Sequence, residues 1–554
     1  MANCNNEHQG KLKYWLTCII GLFSTLAIIF VSGFYIAKPY LNSFAKREIA
    51  RRSIKAETFD VSILGKVNLK NVTLPVPSGV LLKIGAISAR PPISFIPGTF
   101  TFYNVDLKHN DIHIKIPKIS INNVFLKEKD STIASRILQS IMRVELASIV
   151  APNIQLSVEN GNNRIEKLEI KEFQLSGFRN GRIRSVGFKN MDLATRAENG
   201  TKQVHLIAKS NALKIHDIDI NYAYSLILGK NYPTNQVKTV TGPLSLENVT
   251  VNIFEEGDKE QNTSFSFNKF KTSGLKIKPF EHPPRKLITA YLNAKKENNQ
   301  DAEKTIRNGI LMNILLTIAS ADSQMNNLSV DTPMFQATLK SFQFKPNLWE
   351  RPIPKGLSLS LDSLSILHKK IDFERLNLSG KIDISYDDEK RFLSLNALSF
   401  NIKDMGSGKI SSKVINIDEK LFSAQKDLMI AASQNIGITE IDAIYTDSGF
   451  IDKLFSYLTR NFNDSKHDLK QELYNDFYLI MTQSPKILLK NHDEAEKISK
   501  SLGEFAKNPK TLVIKITAKD NEVLTLDDLG TALQKDFYTT LNKINLTVKN
   551  EASP

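Results

Sequence analysis

Two histidines and an aspartate occupy alternate positions in one short stretch, and no other group in the sequence resembles a metal site more. His109, Asp111 and His113 are each two residues apart. On a β-strand such residues share one face, where two imidazoles and a carboxylate could ligate zinc. A solvated strand face, or a turn beside Asn110, explains the pattern without a metal. We therefore predict no metal site and keep zinc as the alternative.

Further acidic groups are candidates for acid–base chemistry, but local hydrogen bonding accounts for them. His216 would lie on the opposite face of a strand from Asp217 and Asp219, so the three do not converge. Asp387-Asp388 falls in a predicted turn and Asp527-Asp528 at a predicted helix start. Carboxylates at such places accept hydrogen bonds from backbone amides. Capping is therefore the preferred interpretation of both pairs.

Motifs that define common enzyme classes are missing. Gly406-Ser-Gly-Lys409 lacks the first glycine of a phosphate-binding loop, and we interpret it as a hairpin tip. No Gly-x-Ser-x-Gly elbow or His-Glu-x-x-His helix occurs. The only cysteines are Cys4 and Cys18, so the rest of the chain has no thiol. We predict a protein that is not an enzyme, with no catalytic residue and no cofactor, and keep an anchored hydrolase as the less favoured option.

An uncharged segment from Tyr14 to Ala37 is the strongest feature of the sequence. Its 24 residues would form a helix long enough to cross the hydrocarbon core of a bilayer. Aromatic residues cluster at both ends, as at membrane interfaces. We predict a short tail at 1–13 and a single uncleaved transmembrane anchor at 14–37.

A basic amphipathic segment, 38–55, follows the anchor. Its charged face includes Lys46, Arg47, Arg51 and Arg52, which could lie on lipid headgroups. An extension of the anchor helix with a solvated charged face is an equal alternative. The positive-inside rule taken literally would put the large domain in the cytoplasm. We instead favour the periplasm, because the chain is rich in β-strands and long domains translocate largely regardless of charge.

The remaining sequence predicts an α+β fold dominated by long antiparallel, curved sheets. Alternating strands and turn residues fill 56–418, with helical insertions near 131–148 and 286–322. A helical block is predicted for 419–507, and a strand, a helix and a strand for 508–554. The net charge of +15 suits an anionic partner. Because no nucleic-acid module is present, we predict lipid and no nucleic acid.

Several strands repeat one pattern of two alternating apolar residues, an asparagine and two more alternating apolar residues. The asparagines in this pattern are Asn71, Asn104, Asn190 and Asn248. Asparagine tolerates left-handed backbone better than most residues. The repeat therefore predicts a bulge or bend inside each long strand.

The order of elements near the N-terminus resembles a known family. An anchor and a basic helix are followed by Gly65-Lys-Val-Asn-Leu-Lys-Asn-Val-Thr-Leu74, a Leu81-Leu-Lys-Ile84 strand, Gly98-Thr-Phe and Val105-Asp-Leu107. Over about residues 10–120 this is similar to the AsmA-like proteins of Gram-negative inner membranes, with the YdgA-like group as a competitor. The block at 419–507 and the basic flank depart from the family pattern. The resemblance implies a single-pass inner-membrane protein with a periplasmic groove that acts in phospholipid traffic or outer-membrane maintenance.

Two functions from different classes follow. If part of the sheet leaves its apolar face open, the chain binds or passes phospholipid acyl chains. If the core is closed, the chain is a non-catalytic envelope scaffold that binds protein partners. An open apolar groove would favour the first function, and we place lipid ahead of the scaffold.

Overall fold

The computed structural model describes most of the chain between Lys55 and Glu551. The described residues are 55–61, 66–76, 80–90, 92, 96–126, 144–159, 163–199, 202–228, 237–256, 258–280, 284–297, 299–348, 353–370, 375–423, 425–459, 469–489, 493–519, 522–525, 528 and 542–551. The predicted anchor at 14–37 and Lys46, Arg47, Arg51 and Arg52 lie outside them. Among the described helices, none is both long enough and apolar enough to cross a membrane.

Strands dominate the described chain. They are β1 (Thr58–Val61), β2 (Val67–Val76), β3 (Val80–Arg90), β4 (Gly98–His109), β5 (Ile112–Leu126), β6 (Val144–Val158), β7 (Asn163–Arg179), β8 (Arg182–Asn199), β9 (Lys202–Asp219), β10 (Lys238–Thr241), β11 (Leu244–Glu255), β12 (Asp258–Thr272), β13 (Leu275–Ile277), β14 (Ile318–Ser320), β15 (Ser323–Asp331), β16 (Phe335–Asn347), β17 (Gly356–His368), β18 (Leu376–Asp387), β19 (Phe392–Ile402), β20 (Gly406–Ile415), β21 (Gly437–Asp447), β22 (Thr511–Ala518), β23 (Leu524–Thr525) and β24 (Ile544–Glu551).

Helices are fewer, and most lie in the second half of the chain. Those whose bounds are described are α1 (Ile220–Leu228), α2 (Pro284–Lys296), α3 (Gln300–Thr317), α4 (Lys426–Ser433), α5 (Phe450–Thr459), α6 (Leu469–Leu488) and α7 (Asp493–Lys507). A short 3₁₀ helix covers Glu419–Phe422. Helices α2 and α3 fall where the sequence predicts a helical pair, in 286–322.

The described residues divide into two compact units, and each contains a long run of antiparallel strand pairs. The first unit runs to Ser225 and includes 239–274 and 330–333. In it, β1 to β9 pair in chain order, followed by β11 and β12. In the second unit, β16 to β22 pair in order, β24 follows β22, and β23 pairs with β21. The predicted β-dominated, antiparallel fold class is confirmed.

Left-handed asparagines interrupt the long strands where the repeat predicts a bend. The φ angles are 50°, 51°, 57° and 48° at Asn71, Asn104, Asn190 and Asn248. Strand side chains alternate between faces, so one residue of this kind resets the alternation. In β2, Leu69 and Val72 are an odd number of residues apart, yet both are buried. Both halves of such a strand therefore place apolar side chains on the same face.

Two structural predictions are wrong in part, although α4 to α7 lie within the predicted helical block. Residues 144–148, predicted to end a helix, begin β6, where Val144 pairs with Leu126 and Leu146 with Phe178. The rest of that predicted helix, 131–143, lies outside the described residues. The predicted helical block at 419–507 contains a strand, β21, which pairs with β20 and β22. In both places strand pairing with distant residues outweighs a helical pattern of apolar residues.

Candidate functional site

A continuous apolar row crosses the ladder of the first unit. In each of nine neighbouring strands, the residue at one register position is apolar, and each is the direct cross-strand partner of the next. The row consists of Leu82, Leu107, Ile114, Leu156, Leu168, Leu193, Ala208, Val251 and Phe265. Direct partners share a face of the sheet, so these side chains form one strip.

A second apolar row lies on the other side of the asparagine bends. It consists of Val67, Ala89, Phe100, Ile121, Ile149, Leu175, Val186, Ile215 and Leu244, which are again direct partners in register. Left-handed residues reset the alternation between the rows in β2, β4, β7, β8 and β11. Residues of both rows in β3, β4 and β5 also pack in one buried cluster, so the two rows belong to the same face. We call the two rows together the apolar face.

The opposite face of the same strands is polar. The row beside the first apolar row consists of Lys83, Asp106, Lys115, Gln155, Glu169, Asp192, Lys209, Thr250 and Ser266. Lys167 lies 2.8 Å from Glu169, and this hydrogen bond holds the pKa of the Glu169 carboxyl below its usual range. Charges of both signs are mixed with neutral polar residues here, as on a solvated surface.

The apolar face is closed at one end and partly open at the other. In β2 to β5 its side chains form a buried core, in which Leu82 is 0% and Phe100 is 7% exposed. From β6 to β12 most of the face is only half-buried, as at Leu168, Leu193 and Val251. The open portion is therefore the candidate site, because its apolar side chains still contact solvent.

The candidate group of His109, Asp111 and His113 does not lie on one strand face. His109 ends β4, Asn110 and Asp111 form the turn with φ of 49° at Asn110, and His113 lies in β5. His113 Nε2 instead lies 2.8 Å from Asp106 Oδ1 across the hairpin. Among the described residues, no group of three or more His, Cys, Asp or Glu could hold a metal ion. The turn beside Asn110, one of the two explanations of the pattern without a metal, is what the structure contains.

The other acidic candidates are capping residues. Asp387 Oδ1 accepts hydrogen bonds from the backbone amides of Glu389 and Lys390, each 3.0 Å long, in the predicted turn. Asp219 Oδ1 accepts one of 2.8 Å from the amide of Tyr222 at the start of α1. These contacts satisfy backbone donors and leave the carboxylates in structural roles.

Asp528 and Thr525 cap each other. The Asp528 carboxylate accepts from the Thr525 amide at 2.9 Å, and Thr525 Oγ1 accepts from the Asp528 amide at 3.1 Å. This is the reciprocal arrangement of a capping box. Burial alone would raise the pKa of Asp528, but hydrogen bonds from Lys543 and Thr525 outweigh it and hold that pKa below its usual range.

One concavity in the second unit was not predicted from the sequence. Phe400 lies between Gly380 and Gly408 on the neighbouring strands, which have no side chains to cover it, and the residue is 42% exposed. The space around it measures about 440 Å³ and is also lined by Leu361. Gly406-Ser-Gly-Lys409 begins β20 here, directly after the turn at 403–405, and Gly406 pairs with Ile402, so the segment starts at the tip of the β19–β20 hairpin, as the sequence predicts.

Comparison with known proteins gives one partial match. A family model described only as "Uncharacterized protein" matches residues 399–551, which lie in the second unit. No curated protein matches the chain.

Proposed function

We propose that the chain binds or passes lipid acyl chains on the open portion of its apolar face. The observation that carries the proposal is the unbroken apolar register over nine strands, half-buried from β6 to β12 and backed by a polar face. Exposed apolar strips of such extent generally bind a ligand or a partner. Acyl chains match a strip with few hydrogen-bonding groups, since they need none.

The proposal includes a membrane setting. The apolar segment 14–37 would anchor the chain in a bacterial inner membrane, with Lys46, Arg47, Arg51 and Arg52 on lipid headgroups. The large domain would lie in the periplasm and act in phospholipid traffic or outer-membrane maintenance, as the AsmA-like resemblance implies. A reporter enzyme fused to the C-terminus tests this: activity restricted to the cytoplasm would overturn the orientation.

Two adjacent residues of β11 provide a matched test of lipid binding. Val251 lies in the apolar row, and Thr250 is exposed on the polar face. A photoreactive benzophenone side chain is placed at either position in the full chain and irradiated in intact cells. We expect crosslinked phospholipid from position 251 and little from position 250, read by mass spectrometry. Equal crosslinking at both positions, or none at 251, would overturn the proposal.

A non-catalytic scaffold is the second candidate, and the closed core in β2 to β5 favours it. In that case a benzophenone at position 251 would crosslink protein rather than phospholipid. Native mass spectrometry of the detergent-purified full chain further distinguishes lipid binding from a scaffold role. Lipid binding would be supported if phospholipid co-purifies with the chain and Val251→Asp lowers its amount, whereas Thr250→Asp does not.

A further inference from the structure

The hairpin of α2 and α3 exposes apolar side chains. Ile288 and Leu292 in α2 are 46% and 37% exposed, and Leu311 and Ile314 in α3 are 57% and 45% exposed. Amphipathic helices of a globular protein normally turn such residues toward the core. Here they face solvent over about one turn of each helix.

The side of each helix that carries the contact between α2 and α3 also carries its buried residues, which lie within about 80° of arc of that contact. Tyr291 Oη donates a 2.9 Å hydrogen bond to Glu303 Oε1, which joins the two helices near their connection. Ala294, Asn313 and Thr317 are buried at 6%, 2% and 2% exposure. The exposed apolar residues therefore form a separate face and are not a displaced contact between α2 and α3.

Basic residues extend both apolar faces. At 100° per residue, Arg285, Ile288, Leu292 and Lys295 fall within about 80° of arc on α2. Lys304, Arg307, Leu311 and Ile314 do the same on α3. All eight side chains are exposed. Each helix thus carries one outward stripe that is both basic and apolar.

The two stripes turn to the same side of the hairpin. Viewed from one end, antiparallel helices wind in opposite senses. On each helix the stripe is centred a little over a quarter turn beyond the side that carries the contact and the buried residues, counted along the chain. Opposite winding then brings both stripes to one side. Over α2, α3 and their connection, six basic residues outnumber three acidic ones.

We infer that this side of the α2–α3 hairpin docks on an anionic lipid bilayer. Apolar side chains would enter the boundary between headgroups and acyl chains, and the flanking Lys and Arg would contact phosphates. The positive charge favours this occupant over an uncharged apolar protein surface. The inference rests on the proposed function only in that a membrane must lie within reach. It adds a contact with the bilayer that is separate from the apolar face.

The test uses the full chain, held in a nanodisc of phosphatidylcholine, with Cys4→Ser and Cys18→Ser. Leu311→Cys carries an environment-sensitive fluorophore, and Asn252→Cys, at an exposed position in β11, is the control label. Vesicles of phosphatidylcholine, with or without phosphatidylglycerol, are then added. We expect a blue shift from position 311 only, and only with anionic vesicles.

Charge variants test the basic stripe. Each of Lys295→Gln and Arg307→Gln should weaken vesicle affinity about five-fold. Lys115→Gln and Lys209→Gln remove the same charge from the polar sheet face and should change it little. No shift at 311, a shift with neutral vesicles, or equal losses in both sets would overturn the inference. A persisting shift without crosslinking at Val251 would instead count against the proposed function alone.

Discussion

The left-handed asparagines are single residues with a large structural consequence. Each allows both halves of its strand to place apolar side chains on one face, which ordinary alternation would forbid. Asn248 has φ of 48° and is exposed, so packing does not explain its presence. Its contribution is conformational, because asparagine visits the left-handed region at lower cost than a β-branched residue.

Asn248→Val should therefore destabilise the chain by about 1–2 kcal/mol, the cost of a left-handed conformation for a residue with a Cβ. Asn248→Gly should be nearly neutral, since glycine reaches this φ without strain. The readout is the midpoint of urea unfolding. The control is Asn252→Val, four residues along β11 at an exposed position where φ is not positive. Equal effects at positions 248 and 252 would contradict the conformational explanation.

Glu440 forms a charge cluster across three strands. Its carboxylate lies 2.5 Å from Lys413 Nζ and 3.2 Å from Lys515 Nζ. The hydrogen bond from Lys413 is the main cause that holds the pKa of Glu440 below its usual value of 4.5, with Lys515 adding to it and burial opposing it.

A carboxyl group with a lowered pKa in the folded state stabilises the fold above its unfolded pKa. This contribution disappears as the pH falls through the folded pKa. At neutral pH, Glu440→Gln should cost about 0.5–1 kcal/mol of unfolding free energy, since the lysines are half-exposed. The difference between the two proteins should vanish in acid. A difference that is constant from neutral to acid pH would show that packing, not charge, is responsible.

Two glycines in regular elements differ in how much space a side chain would have at their positions. Gly187 in β8 lies so close to β9 that an added Cβ would be 2.4 Å from the backbone oxygen of Leu213. Gly309 in α3 has nothing within 4 Å of that position. The first glycine permits close strand approach, and the second only costs its helix conformational entropy.

Gly187→Ala should accordingly destabilise the chain by about 1–3 kcal/mol through overpacking. Gly309→Ala should stabilise α3, by up to about 1 kcal/mol. Thermal unfolding followed by circular dichroism measures both, and each variant is the control for the other. A neutral Gly187→Ala would mean that β8 and β9 can separate without loss.

Elements set by local pattern could be predicted from the sequence, and elements set by distant pairing could not. The repeat around Asn71 and Asn248 predicts bent strands because both the alternation and the backbone preference of asparagine are local. β21 was missed because it forms by pairing with β20 and with β22, which follows α5, α6 and α7 in the chain. The same limit applies to the site: alternation predicts an apolar face, but burial at Leu82 and partial exposure at Leu193 depend on tertiary packing.

At the scale of the first unit, the open portion of the apolar face has a length that can be compared with a lipid. From β6 to β12 the row crosses six paired strands, which at about 4.8 Å per spacing gives about 24 Å. One leaflet contributes about half of the 30 Å hydrocarbon core, or about 15 Å. An ordinary acyl chain laid along the row would therefore fit without reaching its end.

Affinity for single-chain phospholipids should thus rise with chain length and not level off below the length found in bilayers. Full burial of a methylene contributes about 0.8 kcal/mol, so the gain in affinity is at most about four-fold per methylene, and less on a half-open face.

Leu193→Asp divides the row near its middle and leaves segments of about 10 Å and 14 Å. It should make affinity level off at shorter chains. Val251→Asp, near one end, leaves a longer segment and should have a smaller effect. Competition against a fluorescent lipid measures both series, and a flat dependence on chain length in the unmodified protein would exclude binding along the row.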